Sequence, residues 1–132
     1  MSDIRPGERR KARPAPDRGR VKAERRGRFS EYVAALYLLM KGYRIVAMRY
    51  RSGAGEVDII ARRGEVVALV EVKARGSAEK AIDAVGFSSQ QRIRSAGDHW
   101  LSRQRDAAAL SVRCDIVAIV PGRWPRHFMD AF

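Results

Sequence analysis

Asp58, Glu71 and Lys73 are the side chains of this sequence best suited to chemistry. Glu71 and Lys73 close the run Val66-Val67-Ala68-Leu69-Val70-Glu71-Val72-Lys73-Ala74-Arg75. Two residues apart on a strand, they point to one face. Five of the six residues before Glu71 are apolar without alternation, the pattern of a strand covered on both sides. Charges at such positions are costly unless they are paired or bind something. Asp58 stands in a similar setting, within Gly55-Glu56-Val57-Asp58-Ile59-Ile60-Ala61. Two neighbouring apolar strands, each carrying a carboxylate, suit a divalent cation. Mg²⁺ takes oxygen ligands, commonly one or two carboxylates with water and substrate phosphate, and Mn²⁺ accepts the same donors. Asp58 and Glu71 supply the carboxylates, and the Val72 carbonyl offers a further protein oxygen. The ion would acidify a bound water and neutralise phosphate charge. Lys73 could orient or deprotonate that water, or offset charge building on the phosphate. Arg75, on the same side, suits a neighbouring phosphate. The plainer alternative is a Glu71–Lys73 ion pair at a solvent-facing strand end; Asp58, a third charge in a second apolar strand, weighs against it.

Whether Asp58 and Glu71 meet depends on the hairpin between their strands. A two- or four-residue connection at Arg63-Gly64 sets Asp58 opposite Leu69. Glu71 is then its diagonal neighbour on the same face, about 7–8 Å away at the backbone. A three-residue loop would split the pair unless a bulge restored the parity.

The elements around this hairpin follow from periodicity. Phe29, Val33, Leu36, Tyr37 and Met40 recur at helical spacing, with Ala34, Ala35, Leu38 and Leu39 widening the apolar face. This predicts a largely buried first helix, stopped by Lys41-Gly42. Strands are expected at 43–50, 56–62, 66–75 and 112–120, the last ended by Pro121-Gly122. Residues 76–87 read as a loop. Ser88 or Ser89 can cap a second helix, whose Ile93, Ala96, Gly97, Trp100 and Leu101 form one apolar face. Trp124, Phe128 and Phe132 are expected to fold back over apolar surface. The order α-β-β-β-α-β predicts an α/β fold with a mixed central sheet.

The formal net charge is +12. Residues 1–27 hold ten basic and four acidic side chains, so the remaining seventeen basic and eleven acidic residues leave the domain itself at +6. A basic domain favours a polyanion such as nucleic acid, although solubility alone also accounts for such charge. Residues 1–27, rich in Pro, Gly and Arg, are expected to form a disordered basic tail, followed by one domain over 28–132. No run of eighteen apolar residues predicts a membrane span, and no apolar stretch follows the N-terminal charges as in a secretory signal. The lone Cys114 excludes an internal disulfide and a cysteine-based zinc cluster, and is expected to be a buried thiol in a reducing cytoplasm. His99 and His127 have no partner at metal-ligand spacing and are expected to serve packing or the surface. Asp115 is expected to pair with a neighbouring arginine.

Read together, Gly55–Ala61 and Leu69–Arg75 resemble the YraN family of bacterial proteins. So do Lys41-Gly42-Tyr43-Arg44-Ile45, Arg113–Ile119 and the closing Asp130-Ala131-Phe132. The resemblance covers roughly residues 28–132. It implies a restriction-endonuclease-like α-β-β-β-α-β core and a metal-dependent nuclease. Asp58 and Glu71 would be its metal ligands and Lys73 its catalytic lysine. Glu31 matches a helical glutamate of the family that reaches the metal directly or through water; a carboxylate favouring a helix N-terminus is its other reading. Ser30 replaces the family's usual glycine, and Ser89-Gln90 stands where a lysine often occurs, leaving Gln90 or Arg92 to substitute. Arg49, Arg51, Arg75, Gln90 and Arg94 are the further candidates for nucleic-acid contact. The function expected is therefore binding, and hydrolysis, of phosphodiester bonds in nucleic acid, with DNA, including branched forms, favoured over RNA. A non-catalytic nucleic-acid-binding module with a vestigial site is the alternative. Resolution of a branched substrate would require two sites and hence a homodimer, for which no surface is legible in the sequence.

Overall fold

The computed structural model describes the backbone from residue 18 to 132 and the side chains from residue 27. Of the tail expected over residues 1–27, residues 1–17 lie outside the described residues. Helix α1 (Arg18–Met40) begins within the stretch read as a tail. Lys, Arg, Ala and Glu over 18–27 are good helix formers, and lengthening an existing helix costs little.

Three strands follow, β1 (Arg44–Ser52), β2 (Gly55–Arg63) and β3 (Val66–Ala74). The short α2 (Ala78–Asp83) and then α3 (Phe87–Leu101) lead to β4 (Ser111–Ile119) and β5 (Arg126–Phe128). The sheet order is β1-β2-β3-β4-β5, with β3 and β4 parallel and the other neighbours antiparallel. The result is a mixed α/β fold, with α2 and β5 added to the expected series. Six and three residues respectively are too few to show periodicity.

Helices α1 and α3 pack against different sides of the sheet. Ala34, Ala35 and Leu38 of α1 join Ile59, Ala61, Ala68, Val70 and Val72. Ile93, Ala96 and Trp100 of α3 join Val57, Ile60, Val67, Leu69 and Ile116. Alternate residues of β3 thus enter two cores, which explains its unbroken apolar run.

Helix α1 stops as its sequence dictates. Gly42 adopts φ 92°, its N–H donates to the Leu39 carbonyl at 3.0 Å, and the Tyr43 N–H donates to Leu38 at 3.0 Å. This is the Schellman arrangement, sealed by burial of Leu38 and Tyr43 together. The buried side of α1 is only part of the wide apolar face expected. Ser30, Ala34, Ala35 and Leu38 face the sheet, whereas Phe29, Leu36 and Met40 face outward. A helix apolar nearly all round offers two candidate faces, and the smaller side chains let it approach the sheet more closely.

At α3 the cap is Gly86 rather than Ser88 or Ser89, and the Gln90 N–H donates to its carbonyl. Phe128 and Phe132 pack on the α3-side core as expected, but Trp124 is exposed. Cys114 is buried. No described helix is long and apolar enough to cross a membrane.

Candidate functional site

The β2–β3 hairpin turns through Gly64-Glu65, with φ 61° at Gly64 and no positive φ at Glu65. A glycine first in a two-residue loop is the requirement of a type II′ turn. Arg63 therefore pairs with Val66, Ile60 with Leu69 and Ile59 with Val70. One step further sets Asp58 against Glu71 rather than Leu69. The turn is centred one residue later than Arg63-Gly64, which moves the pairing by two residues and keeps the parity. The carboxylates are thus closer than the diagonal arrangement predicted.

The β2–β3 ladder ends at Ile59 and Val70. Beyond it the Val72 N–H donates to Asp58 Oδ2 at 2.8 Å, so a side chain takes the place of a ladder carbonyl. Lys73 Nζ lies 3.2 Å from Glu71 Oε1, with both side chains largely buried. The Asp58 and Glu71 carboxyls border the same two cavities, close enough for the charge of Glu71 to act on Asp58. Burial first, and then the negative charge of Glu71, push the Asp58 carboxyl up to about 7, against the stabilising Val72 N–H. Two acids are thus held together with one ammonium beside them, the arrangement that a cation relieves.

Glu31 and Arg49 border this group. Arg49 takes φ 51°, unusual for a non-glycine residue, and its Nε donates to Glu31 Oε2 at 2.6 Å. The bond ties the middle of α1 to β1. Because α1 starts at Arg18, Glu31 is far from the helix N-terminus, and the helix-end reading of that residue falls away. Among the described residues, no three His, Cys, Asp or Glu side chains are grouped to hold a metal by themselves. Asp58 and Glu71 nevertheless fit the one or two carboxylates that Mg²⁺ commonly takes from protein. Glu31 lines the same cavity as Asp58 and Glu71, with its Oε2 held by Arg49.

The acidic pair opens onto two cavities. One, of about 810 Å³, is bounded by Phe29, Ser30 and Glu31 of α1, by residues 71–76, and by Ile119 and Pro121. Arg75 lies on its wall, its Nη1 donating to the Ala74 carbonyl at 2.7 Å. The other, of about 220 Å³, reaches Glu56, Ser89, Arg92 and Ile93. Asp58, Glu71 and Lys73 border both. Arg51 lies farther along, in a cleft shared with Arg92, 3.4 Å from Glu56. Two other candidates turn elsewhere. Gln90 donates to the Val85 carbonyl at 3.2 Å, and the Arg94 guanidinium sits 5.8 Å from the centre of the Phe132 ring. The basic group that α3 brings to the cleft is Arg92. Ser89 and Arg92, three apart on one helix face, were the available signal. Gly55 fixes their approach, since an added Cβ would overlap the Arg92 carbonyl.

A second polar group lies around β4. Asp115 is fully buried and receives both Arg113 Nε and Nη2 at 2.8 Å and the Asp130 N–H at 3.0 Å. His127 Nε2 is 2.7 Å from Asp115 Oδ2, and Lys41 Nζ is 2.7 Å from His127 Nδ1. Burial alone would raise the Asp115 carboxyl, but His127, Arg113 and the Asp130 N–H hold it at about 2. The arginine pairing of Asp115 is as expected. The His127 side chain is buried and takes part in this network, a role its isolation in sequence did not reveal. His99 instead meets Tyr50 Oη through Nδ1 at 2.6 Å.

Residues 30–119 match the sequence model of a family described as Uncharacterised protein family UPF0102. A UPF0102 protein of Agrobacterium fabrum is 64% identical over 113 residues, covering 86% of this chain and 93% of the relative. One from Rhizobium meliloti is 63% identical over 117 residues, covering 89% and 96%.

Proposed function

The chain belongs to the UPF0102 family, and on that premise we propose that it is a divalent-metal-dependent nuclease acting on nucleic acid, DNA in preference to RNA. One observation carries the reading: Asp58, Glu71 and Lys73 meet where β2 and β3 part, at the junction of two open cavities. Asp58 and Glu71 would hold Mg²⁺ or Mn²⁺, with the Val72 carbonyl as a further protein oxygen. When bound, the ion would neutralise phosphate charge and make a water more acidic. The Val72 N–H fixes one Asp58 oxygen, and the other would turn to the ion once the carboxyl is ionised. Lys73, paired with Glu71, presents a proton and a positive charge to phosphate oxygens as they become more negative. Arg75 lines one cavity and Arg92 the other, and both would hold adjoining phosphates.

A second reading, a nucleic-acid-binding module with a vestigial site, is favoured by the engagement of Glu31 with Arg49. One experiment separates the two. The full chain and Lys73→Ala are incubated with linear, branched and single-stranded DNA and RNA, in Mn²⁺ or EDTA. The proposal expects metal-dependent cleavage that falls by at least about a hundredfold in Lys73→Ala. Binding without cleavage in any arm would favour the non-catalytic module.

A further inference from the structure

Every exposed residue of α1 from Phe29 to Met40 is large and apolar. Phe29 is 68% exposed, Tyr32 68%, Leu36 61%, Leu39 51% and Met40 69%. Their spacings of three, four and three residues from Phe29 to Leu39 match the a and d positions of a helix that seats against another helix. The opposite side of α1 already packs on the sheet through Ala34, Ala35 and Leu38. Surface helices ordinarily present charged residues to water, and patches this continuous mark interfaces.

We propose that this stripe is an interface between two copies of the chain, packed α1 against α1 about a two-fold axis. Three features select a second copy. The stripe carries no charge, so it offers nothing to an acidic protein or to nucleic acid, which the chain's net charge of +12 would otherwise attract. The a/d spacing is self-complementary. An antiparallel pairing centred between Tyr32 and Leu36 sets the Phe29 end of one copy beside the Met40 end of the other. The area is also of the right order: five such side chains expose on the order of 600 Å² per copy, so a pair that buried them fully would cover about 1,200 Å², the lower bound of stable interfaces. Phe29 also borders the larger cavity, so the interface reaches the rim of the Asp58–Glu71 site and a dimer carries two such sites close to one axis. This assembly stands independently of whether the site cleaves.

Sedimentation velocity of the full chain across micromolar concentrations tests the proposal, with Leu36→Glu as the disrupting variant. Trp124→Glu is the control, because Trp124 is exposed but lies off the stripe. Unchanged circular dichroism would verify folding of both variants. The expected result is a concentration-dependent dimer, at least about tenfold weaker in Leu36→Glu and unaffected in Trp124→Glu. Added salt should hold or tighten it, by screening the repulsion between two basic copies. A wild-type chain that stays monomeric, or a dimer that Leu36→Glu leaves intact, would overturn the proposal. So would a monomer that co-floats with phosphatidylserine vesicles and loses that binding in Leu36→Glu, because a membrane surface would then be what covers the stripe.

Discussion

Asp58 gains its properties from neighbours brought to it by the hairpin. Burial and Glu71 raise its carboxyl to about 7, so the folded chain without metal holds that proton more tightly than the unfolded chain does. The stabilising contribution is fully present below the ordinary carboxylate value near 3.8 and is lost as the pH rises through about 7. Thermal unfolding in EDTA should therefore show a wild-type melting temperature that falls between pH 6 and pH 8. Asp58→Asn, which never ionises, should hold steady over that range and exceed the wild type at pH 8 by about 4 °C, roughly 1 kcal/mol. Parallel pH profiles for the two proteins would show that no such buried charge exists. Lys73 does not relieve Asp58 directly, since its ammonium is given to Glu71.

At the scale of elements, the Gly64-Glu65 turn and the β4–β5 contact fix what the strands can do. The turn sets the register that joins Asp58 to Glu71. The β4–β5 contact closes the sheet with only three residues and depends on Asp115, which gathers Arg113, His127 and the Asp130 N–H. Removing one member of a buried ionic group strands the others, at a cost of about 3–5 kcal/mol. Asp115→Ala should thus lower the urea midpoint sharply, and a loss below about 1 kcal/mol would mean the network contributes little. Because its folded value is depressed to about 2, the wild-type contribution of Asp115 is present above pH 4 and lost as the pH falls toward 2.

For the whole molecule, charge and shape divide the work. The net charge of +12 favours association with polyanions, while Arg75 lines one and Arg92 the other of the two cavities that the acidic pair borders. Binding of duplex DNA, measured by fluorescence anisotropy in EDTA, should weaken steeply with salt. Arg92→Ala should reduce the magnitude of that slope by about one. Arg94→Ala should leave the slope unchanged, as that side chain rests on Phe132. Equal effects of the two substitutions would remove the cleft from the binding surface.

The sequence by itself determined the four longer strands, their apolar faces, the Gly42 stop of α1 and the presence of charge where charge is costly. These are local properties, set by periodicity, by the positive φ of a glycine and by desolvation. It also held the parity that keeps Asp58 and Glu71 together. Only the tertiary structure decided which of two apolar faces of α1 meets the sheet, that Glu31 goes to Arg49, that Arg92 rather than Gln90 enters the cleft, and that His127 joins Asp115. Each of those outcomes depends on contacts between residues far apart in the chain. Local pattern is silent there, because several partners satisfy the same hydrophobic or hydrogen-bonding need and packing alone selects among them.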